Sequence, residues 1–152
     1  MDVIAHFVFG LWLSRKVSPV AVPFSVILDI DHVLGFLYDK IKKKNIKTPT
    51  LIHLAYRPRS WLHSLLGILI IGLPFYPFFG FFPVFIPLLT HLLIDMLDNS
   101  GVMLLFPFSF KHIHGILPAS YLPEEARKRK KTSHIPSVIL IIASAILIFL
   151  KV

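Results

Sequence analysis

The run Ser60–Asp95 has no lysine, arginine, aspartate or glutamate before its last residue and is interrupted by only two histidines, His63 and His91. A stretch this long and this apolar is not an ordinary strand or surface helix. It exceeds the roughly 20 residues that cross the hydrocarbon core of a bilayer. Pro74, Pro77, Gly80 and Pro83 cluster near its middle and mark a turn. The run therefore reads as two membrane helices, about Ser60–Tyr76 and Pro83–Asp98. Similar uncharged stretches lie at Val3–Ser14, at Val17–Leu28 continuing past Asp29, Asp31 and His32 to Tyr38, and at Ile135–Leu150. The expected fold is all-α, an integral membrane bundle of about five short transmembrane helices. Residues 1–152 form a single domain, without internal repeats. Composition agrees: 55% of residues are hydrophobic and the mean hydropathy is +0.75, against about 45–50% apolar residues in soluble domains.

Charge sets the orientation. Of the sixteen basic residues, thirteen fall in two loops, Lys40–Arg59 and Lys111–Lys131. An even number of spans separates these loops, so they share one face, and an excess of lysine and arginine marks the cytoplasmic side. The N-terminus is then cytoplasmic and the C-terminus outside, as expected of a multi-pass protein of the cell or inner membrane. The net charge of +8 is accounted for by membrane lipids, and no nucleic-acid partner is expected. The apolar, aromatic stretch Val102–Pro123, broken by Pro107, Lys111 and Gly115, reads as an interfacial segment on the cytoplasmic leaflet. The Met-Asp start lacks the basic region and cleavage site of a signal peptide.

Ionisable groups inside a membrane are costly and mark function. Here they are His6, Asp29, Asp31, His32, His63, His91 and Asp95, with Asp98 at the edge; four of the chain's eight acids belong to this set. Counted from each helix's outer end at about 1.5 Å per residue, they fall roughly 12–22 Å deep, in one slab in the cytoplasmic half. His91 and Asp95 are i, i+4 and share a helix face, so one ion can meet both. Asp29 and Asp31, at i, i+2, point apart on a regular helix, and reaching one site together requires local unwinding. Arg59 and His63 are i, i+4 at the start of the third helix, where free N–H groups favour a phosphate. With no cysteine in the chain, nitrogen and oxygen must hold any metal. The metal ligands are expected to be His6, Asp31, His63, His91 and Asp95, holding one or two divalent ions, with Asp29 as a bridge. Each residue also has a structural reading: His6 as a buried histidine bonded to a carbonyl, His32 as an interfacial residue, and His53, His112, His114 and His134 as solvated loop residues.

The motifs carry a resemblance. His6-Phe-Val-Phe-Gly10, Leu28-Asp29-Ile30-Asp31-His32, Arg59-Ser60-Trp61-Leu62-His63-Ser64, and His91-Leu-Leu-Ile-Asp95 through Gly101 to Pro107-Phe108 follow one another in the order and spacing of the YdjM-type proteins. That family is described as LexA-binding, associated with the inner membrane and metal-dependent, with hydrolysis as its implied chemistry. The resemblance covers residues 1–110, with Leu28 where the family has proline and Leu62 where it has threonine. The ligand order is also similar, more loosely, to part of that in zinc-dependent phospholipase C enzymes. Together these imply a metal-dependent hydrolase of a phosphoester such as a lipid headgroup. Zinc is the expected divalent metal, with manganese or iron as alternatives. Arg59 would hold the substrate phosphate, and Asp29 or Asp98 would serve as general base. Two rivals use the same residues: a metal or proton transporter, and a non-catalytic membrane adaptor bound through its basic loops.

Overall fold

A computed structural model of the chain describes residues 3–31, 61–118 and 133–150. The described residues contain five α-helices and no strand. Helix α1 is Val3–Lys16 and α2 is Ala21–Val26, which tightens into a 3-10 turn at Ile27–Asp29. Helix α3 is Leu65–Phe79, α4 is Phe81–Met96 and α5 is Ile135–Phe149.

The ends of these helices follow from local chemistry. Arg15 and Lys16 close α1, where cations complement the carbonyl end of the helix dipole. Pro23 and Pro83 sit in the first turns of α2 and α4, and Pro136 does so in α5, where a missing N–H costs no helical bond. Ser64 caps α3, its Oγ accepting the Gly67 N–H at 3.1 Å.

The structure departs from the sequence expectation at two places in the long apolar run. The turn in the long apolar run is not spread over Pro74–Pro83. Helix α3 continues through Pro74 and Pro77, and the chain reverses at Gly80 alone, whose φ of 83° is open to glycine. The third helix also begins later than Ser60, at Leu65, because Ser64 supplies the cap. His63 therefore stands in the turn ahead of the helix; the expected pairing with Arg59 lies outside the described residues.

Helix α4 is the centre of the bundle and contacts α1, α2 and α3. Its buried stripe runs Val84, Leu88, His91, Asp95, alternating four and three residues, which is one face of a helix. Phe24, Leu28, Ile68, Val84, Phe85, Leu88, Leu92 and Val102 form the apolar core below the polar end of that stripe.

Helix α5 packs on α1 with inverted polarity. Its buried residues are Ser137 and Ser144, two turns apart, while Val138, Ile139, Ile142, Ile146 and Phe149 are exposed. Small polar residues inward and branched apolar residues outward is the pattern of a helix whose solvent is hydrocarbon. Leu69, Ile70, Leu73, Phe78 and Phe82 are likewise exposed on α3 and α4. Among the described residues, however, no helix is long and apolar enough to cross a membrane. Helices of 14 to 16 residues reach only about 21–24 Å, against a hydrocarbon core of roughly 30 Å.

Candidate metal centre

Three close approaches bring the polar residues to one place. Helix α1 lies against α2 at Gly10, where a Cβ would stand 1.9 Å from Ser25 Oγ and 2.8 Å from Ser25 Cβ. That contact sets His6, one turn earlier, over α4: its ring stacks on His91 at 3.7 Å with an interplanar angle of 11°. The second approach comes from the 3-10 turn. Val26 departs from helical geometry at φ −123°, and the turn that follows aims Asp29 and Asp31 at opposite sides of the same imidazole. Asp31 Oδ2 lies 3.0 Å from His63 Nδ1, and Asp29 Oδ1 lies 3.8 Å from His63 Nε2. This is the local unwinding that the i, i+2 spacing requires. The third is the turn before Ser64, which delivers His63 to His91.

Asp29, His63, His91 and Asp95, all buried, each place one donor atom within 4.8 Å of the other three and could hold a metal ion. Asp95 Oδ2 is 3.4 Å from both His63 Nε2 and His91 Nε2. Asp29 Oδ1 is 3.7 Å from His91 Nε2.

The other ring nitrogens explain why the Nε2 atoms suit an ion. A carbonyl only accepts, so His91 Nδ1–H donates to the Ser25 carbonyl at 2.6 Å. His63 Nδ1–H donates to the Asp31 carboxylate in the same way. In the neutral rings both Nε2 atoms then carry lone pairs, and they face each other at 3.3 Å. Two lone pairs and two carboxylates, buried and convergent, call for a positive charge among them. An imidazole turned by a carboxylate or carbonyl at its far nitrogen is also the usual arrangement behind a metal-binding histidine. The donor set therefore fits a divalent cation.

The remaining candidates divide. His6 is 1% exposed and its Nε2 lies 3.0 Å from Asp95 Oδ1, the oxygen turned away from the imidazole pair. It and Asp31 touch the group's members without belonging to the group. Asp29, expected as a bridge or general base, is one of its four members. Asp98 is buried but not among them; its Oδ1 accepts the Ser100 N–H at 2.9 Å and the Ser100 hydroxyl, in a local turn. Arg59 and His32 lie outside the described residues. Ser25 was not singled out in the sequence, because it acts through a backbone carbonyl, which every residue has.

The family model described as YdjM inner membrane protein matches residues 1–151. The chain belongs to that family. The match takes in the C-terminal helix as well as the motif-bearing part, so in this YdjM-family chain α5 is part of the family fold although it brings no residue to the metal group. No curated protein and no solved structure matches the chain. Of its two departures from the family pattern, Leu28 is fully buried in the apolar core.

Proposed function

We propose that this YdjM-family protein is a membrane-embedded, metal-dependent hydrolase of a phosphoester, such as that of a lipid headgroup. The observation that carries the reading is the convergence of Asp29, His63, His91 and Asp95, with both imidazoles oriented from behind. The phosphoester is suggested by the motif resemblance and by the looser likeness to zinc phospholipase C ligand order. A mixed imidazole and carboxylate set suits zinc, with manganese or iron as alternatives.

When bound, such an ion supplies Lewis acidity and brings the pKa of a coordinated water toward about 7. The chain's residues do the rest. Asp31 and the Ser25 carbonyl keep the Nε2 atoms of His63 and His91 facing inward. His6 engages Asp95 Oδ1, which leaves Oδ2 to the imidazole pair. Asp29, the more distant of the two carboxylates in the group, is assigned the general base. Asp98 secures its turn through Ser100 and is not assigned the base. Arg59, four residues before His63, is assigned to the substrate phosphate as a bidentate donor.

The exposed apolar faces of α3, α4 and α5 favour immersion in lipid. Helices of this length reach both surfaces only where the bilayer thins, or are partly buried in one leaflet. The positive loops favour a cytoplasmic N-terminus and a site in the cytoplasmic half.

One experiment tests the whole reading: elemental analysis of the purified protein together with a phospholipid headgroup-release assay. The wild type should carry a divalent metal and hydrolyse, and His91→Ala should lose most of the metal. Arg59→Lys should retain the metal while hydrolysis falls about 10- to 100-fold, for a loss of roughly 1.4–2.8 kcal/mol. A wild type without metal overturns the metal centre. A metal-loaded wild type that releases no phosphate ester overturns the hydrolase.

A further inference from the structure

The chain leaving α4 forms a hairpin that the metal group does not use. Val102 and Ile113 exchange two backbone hydrogen bonds, at 3.0 and 2.9 Å, and Gly115 N–H donates to Asp98 O at 2.8 Å. Between these ties the loop is shaped by turns at Phe106 and Ser109 and by an edge-on contact of the Phe106 and Phe110 rings. Its base is packed, with Val102 in the core and Leu104 against it, yet other large apolar side chains of the segment are bare. Phe108 is 94% exposed, Ile116 95% and Phe110 71%. A hairpin of fixed backbone that presents phenylalanines outward gains nothing from water.

The surroundings say what covers it. Lys111 and His114, both exposed, are interleaved with these apolar residues. Aromatic side chains beside a lysine match the layer where acyl chains meet anionic headgroups. The chain also belongs to an inner membrane family.

We infer that the 102–116 hairpin is seated in the headgroup–acyl boundary of the bilayer, with anionic phospholipid as its partner. The hairpin is tied to the segment carrying His63. Leu65 N–H donates to Leu104 O at 3.1 Å, and the Trp61 and Phe106 rings lie 6.1 Å apart. Seating the hairpin therefore fixes the depth of His63 below the headgroups. The inference stands whether or not the metal group is catalytic, since it concerns lipid contact alone.

The chain has no cysteine, so Phe108→Cys carries one label, an environment-sensitive fluorophore. The labelled protein is reconstituted into phosphatidylethanolamine–phosphatidylglycerol vesicles containing lipid spin-labelled near the headgroup or near the chain end. Seating predicts strong quenching by the shallow spin label, weaker quenching by the deep one and little by aqueous iodide. Quenching by iodide alone places the hairpin in water and overturns the inference. So does protection from all three, which means a protein cover such as a second copy, and so does dominant deep quenching, which means a membrane-crossing segment. Phe110→Cys repeats the measurement at a second position, so that failure of one variant to fold leaves the test intact.

Discussion

His63 meets carboxylates at both ring nitrogens, and the two sides of the ring have different consequences. Asp31, at Nδ1, decides which nitrogen carries the proton; Asp29 and Asp95, at Nε2, share the space an ion would take. Replacing Asp31 therefore tests orientation separately from ligation. Asp31→Asn keeps an oxygen that can accept from Nδ1–H, so its metal affinity should stay near that of the wild type. Asp31→Ala removes the acceptor and should weaken zinc binding about 10- to 100-fold, the usual cost of losing such a partner. Competition with a chromophoric chelator measures both, and wild-type affinity in the alanine variant would show that Asp31 does not orient the ring. The pair His91 and Asp95 was legible in the sequence because i, i+4 on one helix is a local relation. The ranks of His6 and Asp29 were not. The sequence offers His6 as a ligand and Asp29 as a bridge or base; which of them lies inside the group depends on how α1 and the 3-10 turn settle against α4, and no spacing encodes that.

Between elements, the α1–α2 contact at Gly10 is the tightest constraint on the site. Ser25 contributes the side chain that Gly10 must accommodate and the carbonyl that turns His91. Gly10→Ala must push the helices apart or displace Ser25. Overpacking of this kind costs about 1–3 kcal/mol, so the melting temperature in detergent should fall and zinc affinity should fall with it. Ser25→Gly removes both the atoms the new methyl would meet, at its own cost of roughly 0.5–1 kcal/mol in a helix. The double variant should then be more stable than the sum of the single changes predicts, a coupling that a double-mutant cycle reads directly. Additive losses would mean that Gly10 is not held against Ser25. Helix order and the approximate extents of α1, α3, α4 and α5 could be read from the uncharged runs, since hydropathy alone marks them; the run Val17–Tyr38 reads as one long span, whereas α2 is Ala21–Val26 followed by the 3-10 turn, and the rest of that run beyond residue 31 lies outside the described residues. The start of α3 at Ser64, the unbroken passage of α3 through Pro74 and Pro77 and the 3-10 turn could not, because hydropathy is blind to caps and backbone geometry.

At the scale of the whole molecule, the question is what solvent the bundle is built for. In α5 the polar side chains Ser137 and Ser144 are buried, while Ile139, Ile142 and Ile146 are exposed. In water this arrangement wastes the apolar face, and a charge placed there would be neutral or helpful. In lipid the same charge must be desolvated. Ile142 lies near the middle of α5 and is 53% exposed, so Ile142→Asp separates the two cases. Lipid immersion predicts a penalty approaching about 2.5–3.5 kcal/mol, the cost of aspartate at the centre of a membrane helix. Aqueous exposure predicts a change within about 0.5 kcal/mol. Thermal unfolding in vesicles, read with the fraction of protein that sediments with membranes, measures the difference. A destabilised Ile142→Asp protein beside an unaffected Ile142→Leu control supports immersion. An Ile142→Asp protein that unfolds like the wild type and leaves the membrane fraction would put this face of α5 in water, and the inverted polarity of the helix would need another cover.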